Sequence, residues 1–349
     1  MAVILTLNNF LIFLLLVLVV QSSENNFLEE GLMGNITRRD FLGNGVKISA
    51  SAVLGADLLS RMVHAAPSLA SDKGGIDIAV IESSDYAKNT VKSVELLGGM
   101  EKFVPKNSTV ALLINTMARN QATFVKPEIV RAVIQMCKQA GAKEIAMISW
   151  LPPRAWETSG ISKVAEEEGA ALKLIDGRNE ANFKTIPVPN GKILKEAKVM
   201  QEFFNYDIFI DLPISKNHYG VKITGTMKNL MGLTSPALNG FFHKGDRKSE
   251  AAENIEHLSQ CIADLNTVIK PTLCVVDATE IITTNGPMGP GEVIKPRKVI
   301  AGVDRVAIDT YCTGLLGLQA KDILIIPRAY EHRLGEMNLK KVSIKEISL

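Results

Sequence analysis

The 349-residue chain is 46% hydrophobic and 22% charged, a composition that supports a sizeable core and excludes general disorder. A net charge of +2 and 5% aromatic content leave no electrostatic footprint or base-stacking surface for nucleic acid. The length suits one large domain or two ordinary ones.

Residues 1–70 read as a targeting region. Residues 1–20 carry no charge and residues 10–20 are wholly apolar. That run is short for a spanning helix, which needs about 20 apolar residues. No basic residue precedes Arg38. The run Thr37-Arg38-Arg39-Asp40-Phe41-Leu42 resembles the twin-arginine export motif. It is followed by an apolar stretch over 46–59 and by small residues at Ala65, Ala66 and Ala70, where cleavage fits. Two accounts cover residues 1–32: upstream sequence before a true start at Met33, or an amino-terminal anchor. Both predict a periplasmic protein handled by the twin-arginine machinery, attached to a membrane only if the leader is retained.

Residues 71–349 read as a single α/β domain. Strand-like runs fall at 76–81, 110–114, 145–148 and 172–175, and helical patterns at 86–97, 126–141 and 162–168. Residues 185–191, with Pro187 and Pro189, interrupt the alternation and are the candidate internal boundary. Residues 192–204 then read as helix. After the strand at 208–212, residues 233–248 read as a long loop carrying His243 and Lys244. A helix at 250–269, strands at 273–276 and 299–301 around a turn at 283–291, a helix capped by Asp304 and an edge strand at 342–347 complete the pattern. Alternation at this spacing predicts a mostly parallel, doubly wound sheet with helices on both faces.

Cys137, Cys261, Cys274 and Cys312 lie far apart, with no C-x-x-C pair, and read as buried thiols, with a disulfide as the alternative in an exported protein. No cysteine-ligated iron–sulfur cluster is expected.

Chemistry concentrates at residues 207–232. A buried strand ends at Pro213, a polar group follows at Lys216, Asn217, His218 and Tyr219, and Thr226 opens a helix bearing Lys228 and Asn229. Open α/β sheets bind ligands outside the carboxyl ends of their strands. A lysine in a first helical turn opposes the macrodipole, a conflict that an anion at the helix end removes. Lys228, Asn229, Asn285 and Asp277 are therefore the candidate ligand-binding residues, with His218 and Lys216 as candidate catalytic groups. Asp277, Asp304 and Asp309 offer a weaker alternative as oxygen ligands for a divalent cation.

The segments Lys216-Asn217-His218, Thr226-Met227-Lys228-Asn229-Leu230-Met231-Gly232, Val276-Asp277-Ala278 and Ala301-Gly302-Val303-Asp304, taken in this order, resemble domain-of-unknown-function family 362. The resemblance spans about residues 77–340 and implies an α/β domain, without a general molecular function. After its second strand this chain has Ile114-Asn115-Thr116 where the family pattern is Lys-Pro-Asn-like. The leading expectation is an exported domain that binds or converts an anionic small molecule. The alternative is a redox-associated or cofactor-carrying envelope subunit with a redox partner.

Overall fold

The computed structural model describes residues 75–117 and 119–349. The export motif and the leader lie outside these residues. Fourteen strands run along the described chain: β1 (Ile78–Glu82), β2 (Thr109–Ile114), β3 (Glu144–Ser149), β4 (Ala171–Leu174), β5 (Phe183–Pro187), β6 (Glu196–Met200), β7 (Ile208–Leu212), β8 (Lys216–His218), β9 (Lys222–Thr224), β10 (Leu273–Ala278), β11 (Ile281–Ile282), β12 (Val293–Ile294), β13 (Lys298–Gly302) and β14 (Ile344–Ser348).

Eight of them form one sheet in the order β14-β1-β13-β10-β7-β2-β3-β4. Every pairing is parallel except those of β13, which is antiparallel to both β1 and β10. The apolar runs of β2, β7 and β10 place these strands at the centre, where both faces are covered. Val110, Leu112 and Ile114 of β2 join the helices Tyr86–Leu96, Pro127–Gln139 and Ile161–Glu167 on one face. Ala111 and Leu113 join the helices Thr226–Asn229, Ala252–Leu265, Arg305–Leu315 and Ile325–Glu331 on the other. The expected doubly wound sheet is thus present, with β7 central and β14 at an edge.

Two local expectations are corrected. Residues 192–204 are not helical: β6 pairs with β5 as an antiparallel ribbon, and a short 3-10 turn follows at Gln201–Asn205. Ala197 and Val199 face inward at a spacing of two, the strand period, and this outweighs the helical propensities of the flanking residues. Residues 185–191 belong to this ribbon, with Ile186 and Val188 buried in the core. Residues 233–248 are not all loop either. They contain the helix Pro236–Phe242, whose start is capped by Ser235 Oγ accepting from Leu238 N at 3.2 Å.

All four cysteines are buried free thiols. Burial pushes the thiol of Cys137 up to about 12, so it is a core side chain rather than a nucleophile. Among the described residues, no helix is long and apolar enough to cross a membrane.

Candidate functional site

The chain winds outward from β2 through β3 to β4 on one side, and from β7 through β10 to β13 on the other. β2 and β7 are therefore the neighbours at which the winding reverses, the place where open α/β sheets bind ligands. They run in register from Val110 beside Ile208 to Ile114 beside Leu212, so their carboxyl ends open into one crevice.

A cavity of about 320 Å³ lies there. Its floor is the end of β2 with Asn115, Thr116 and Met117; one wall is Ser149, Trp150 and Leu151 beyond β3. The β8–β9 hairpin contributes Lys216, His218 and Thr224, and the helix Thr226–Asn229 contributes Lys228 and Asn229. His243, Arg247 and Lys248 arrive from the segment after Pro236–Phe242, and Pro287 and Met288 from the glycine-rich turn.

That turn is pinned to β8. Gly286 N donates to Asn217 Oδ1 at 3.0 Å, and a Cβ at Gly286 would stand 1.8 Å from Asn217 O, so only glycine fits. Asn120 Nδ2 donates to Met288 O at 2.6 Å from the other side.

Lys216 is fully buried. Its Nζ donates to Thr123 O at 2.6 Å and to Asn115 Oδ1 at 3.2 Å, with no carboxylate partner among the described residues. Burial, reinforced by the charge of Lys228, lowers its pKa to about 7. The network continues inward: Asn115 Nδ2 donates to Asn229 Oδ1 at 3.0 Å, and Asn229 Nδ2 to Asp211 Oδ1 at 2.7 Å. Asp211 lies wholly inside β7, and burial holds its carboxyl well above the ordinary range. Asn229 therefore ties the ends of β2 and β7 together beneath the cavity.

Lys228 is partly exposed, and its ammonium has no hydrogen bond or ion pair among the described residues. Burial and the nearby Arg247 lower its pKa to about 8. Both histidines are held below the ordinary imidazole value, His218 strongly, by burial first and then by Lys228.

The remaining expected site residues lie elsewhere. Asp277 is buried at the end of β10, where Oδ1 accepts from Thr279 N and Oγ1 at 2.9 and 2.6 Å and Oδ2 from Lys126 N at 2.8 Å. Its carboxylate organises the chain and does not line the cavity. Asn285 is an exposed turn residue whose Nδ2 donates to Pro290 O. Asp304 caps the helix Arg305–Leu315 through Ala307 N, and Asp309 accepts from Thr226 and Met227. Each of the three aspartates is thus engaged separately. Among the described residues no group of three His, Cys, Asp or Glu is placed to hold a metal ion.

Other residues of the cavity escaped the sequence reading. Arg247 and Lys248 sit on an exposed segment and are indistinguishable in sequence from solvated charge. Trp150 follows the strand-like run at 145–148, and nothing in the sequence singles it out. The one usable signal was Ser235-Pro236, an N-cap and first-turn pair that marks the helix delivering His243.

A curated relative is the "Thylakoid-associated protein sll1697" of Synechocystis sp., 24% identical over 272 residues that make up 74% of this chain and 79% of the relative. Solved structures with similarity include a Thermotoga maritima protein (TM-score 0.40, 16% identity, covering 68% of this chain and 60% of that one). Another is the lactate racemase apoprotein from Thermoanaerobacterium thermosaccharolyticum (TM-score 0.44, 12% identity, covering 69% and 57%). This chain spans less than two thirds of either solved chain. Residues 110–314, from the second strand to the helix after β13, match the family described as "Domain of unknown function (DUF362)", and the chain belongs to that family.

Proposed function

We propose that the cavity between β2 and β7 binds an anionic small molecule. One observation carries this reading: among the described residues, the cations Lys216, Lys228, Arg247 and Lys248 line the cavity beside His218 and His243, and no Asp or Glu does. Converging positive charges repel one another, a cost that a bound anion removes. The free ammonium of Lys228 is the natural contact for that anion.

Thermal melting of the protein with sulfate, phosphate and citrate tests the reading. Binding raises Tm, and Lys228→Ala weakens it by about 1.5–3 kcal/mol, the range of a charge-assisted hydrogen bond. A Lys228→Ala protein that melts normally and binds every anion of the wild type places the site elsewhere.

We also infer export by the twin-arginine route, on the motif at Arg38-Arg39 and the thylakoid association named for the cyanobacterial relative. Replacing both arginines by lysine leaves the protein unprocessed in the cytoplasm, and the native amino terminus falls between Ala65 and Ser71. Normal processing of the double variant counts against this route.

A further inference from the structure

Two imidazoles face the same cavity with opposite hydrogen-bonding character. His218 Nδ1 is 3.2 Å from Gly220 N, which can only donate, so Nδ1 is the acceptor and the proton sits on Nε2. His243 Nδ1 is 2.7 Å from Asn239 O, which can only accept, so Nδ1 carries the proton and Nε2 keeps its lone pair. Neither Nε2 has a partner among the described residues. One ring thus offers a proton donor and the other a base.

A second, independent observation concerns the ligand. Thr116 Oγ1, Trp150 Nε1 and Thr224 Oγ1 are buried without any hydrogen-bond partner, and all three residues line this cavity. Buried polar atoms are rarely left unpaired, and the indole N–H can only donate. A ligand with a carbonyl oxygen as well as an anionic group brings acceptors for the indole N–H and the two hydroxyls. A carbonyl compound bearing a carboxylate or phosphate meets both demands.

We propose that His243 and His218 form an acid–base pair, base and hydrogen-bond donor respectively, that exchanges a proton at the carbon beside the carbonyl of an anionic carbonyl compound held in this cavity, an inference that rests on the anion-binding reading above. His243 Nε2 takes a proton from the carbon beside the carbonyl. The C–H electron pair becomes the C=C bond of an enolate, and the carbonyl π pair moves onto oxygen. His218 Nε2–H donates a hydrogen bond to that oxygen without losing its proton, and Lys228 offsets the charge. The imidazolium of His243, after trading its proton with solvent, returns one to the same carbon, so the cycle exchanges that hydrogen with no oxidant, reductant or leaving group. The burial that keeps both imidazoles neutral near neutral pH suits these roles.

The test is proton-to-deuterium exchange in heavy water at neutral pH, followed by proton NMR with 2-oxobutyrate, 2-oxoglutarate and dihydroxyacetone phosphate as probes. At least one probe exchanges faster than without protein. His243→Asn lowers that rate by about 100-fold or more, within the range for a lost general base. An asparagine amide at 243 still reaches Asn239 O, so the local fold is kept. His218→Asn lowers the rate about tenfold, and His218→Gln, which restores an N–H at the Nε2 position, recovers part of it. Long-range proton–nitrogen NMR of histidine-labelled protein shows Nε2–H at His218 and Nδ1–H at His243. The reversed tautomer at either ring, exchange that survives His243→Asn, or no exchange with any probe overturns the proposal. Sulfate added to the same protein separates the two levels. A Lys228-dependent rise in Tm without exchange sinks the acid–base pair alone, and no rise sinks the anion site with it.

Discussion

The carboxylate of Asp309 closes the start of the helix Thr226–Asn229. Oδ1 accepts from Thr226 N at 2.7 Å and from the Thr226 hydroxyl at 2.9 Å, and Oδ2 accepts from Met227 N at 3.1 Å. The backbone N–H groups that a ligand anion was expected to meet are therefore occupied by the protein's own anion. This also settles the charge–dipole conflict at Lys228, since the negative group stands at the helix N-terminus and the lysine projects to the cavity. An anion bound as proposed would meet side chains, above all Lys228.

Asp309→Ala removes three accepted hydrogen bonds from a buried site. The expected loss is about 2–4 kcal/mol of unfolding free energy in urea, since buried donors left unpaired cost about 1–3 kcal/mol each and the site relaxes in part. Gly225→Ala destabilises for the same reason, because its Cβ would stand 2.3 Å from Asp309 Oδ1 and displace the carboxylate. Wild-type stability in both variants would show that the helix start is held by other contacts.

The affinity for sulfate, which does not titrate in this range, falls as pH rises through about 8. Lys228 must be protonated to hold the anion, and its free-state pKa of about 8 means the ammonium is lost above that value. Calorimetric titration reads a decline approaching tenfold per pH unit, and Lys228→Ala abolishes the decline. An affinity that is flat across this window removes Lys228 from the contact.

Lys216 has the opposite sign in stability. Its folded pKa of about 7 lies below the ordinary 10.5, so between these values the unfolded chain binds more protons than the folded one. Stability contributed through Lys216 therefore rises with pH in that window. Relative to Lys216→Met, the wild type gains up to about 1.4 kcal/mol per pH unit above pH 7. Parallel pH profiles would mean that the buried amine stays charged throughout.

Phe209 tests the centre of the sheet. It is 6% exposed in β7, and its ring packs edge-to-face on Phe203 at 5.1 Å. Phe209→Ala costs about 3–5 kcal/mol by denaturant unfolding, the range for a core phenylalanine. A loss below about 1 kcal/mol would show that the strand can close over the missing ring.

Much of the architecture was legible in the chain alone, because local signals coincide with the fold there. The apolar runs of β2, β7 and β10 mark central parallel strands, and Lys126-Pro127 opens a helix as its composition says. Lys216, His218, Lys228 and Asn229 were identifiable because a strand end and the helix after it are joined by a short connection. The ribbon of β5 and β6 was missed because its period-2 pattern is brief and set among good helix formers.

Other features depend on contacts between residues far apart in sequence, which periodicity and propensity cannot encode. Nothing local shows that Asp309 reaches back 83 positions to Thr226, or that Asn115 joins Lys216 to Asn229. Nor does spacing reveal that Arg247 and Lys248 line the cavity while Asp277 and Asn285 do not. The sequence by itself determined the mostly parallel sheet with helices on both faces and the polar segment that follows β7. Tertiary structure alone decided which charges neutralise one another, because that depends on where the chain crosses itself. Among the described residues, it left the lining of one cavity with several cations and no Asp or Glu.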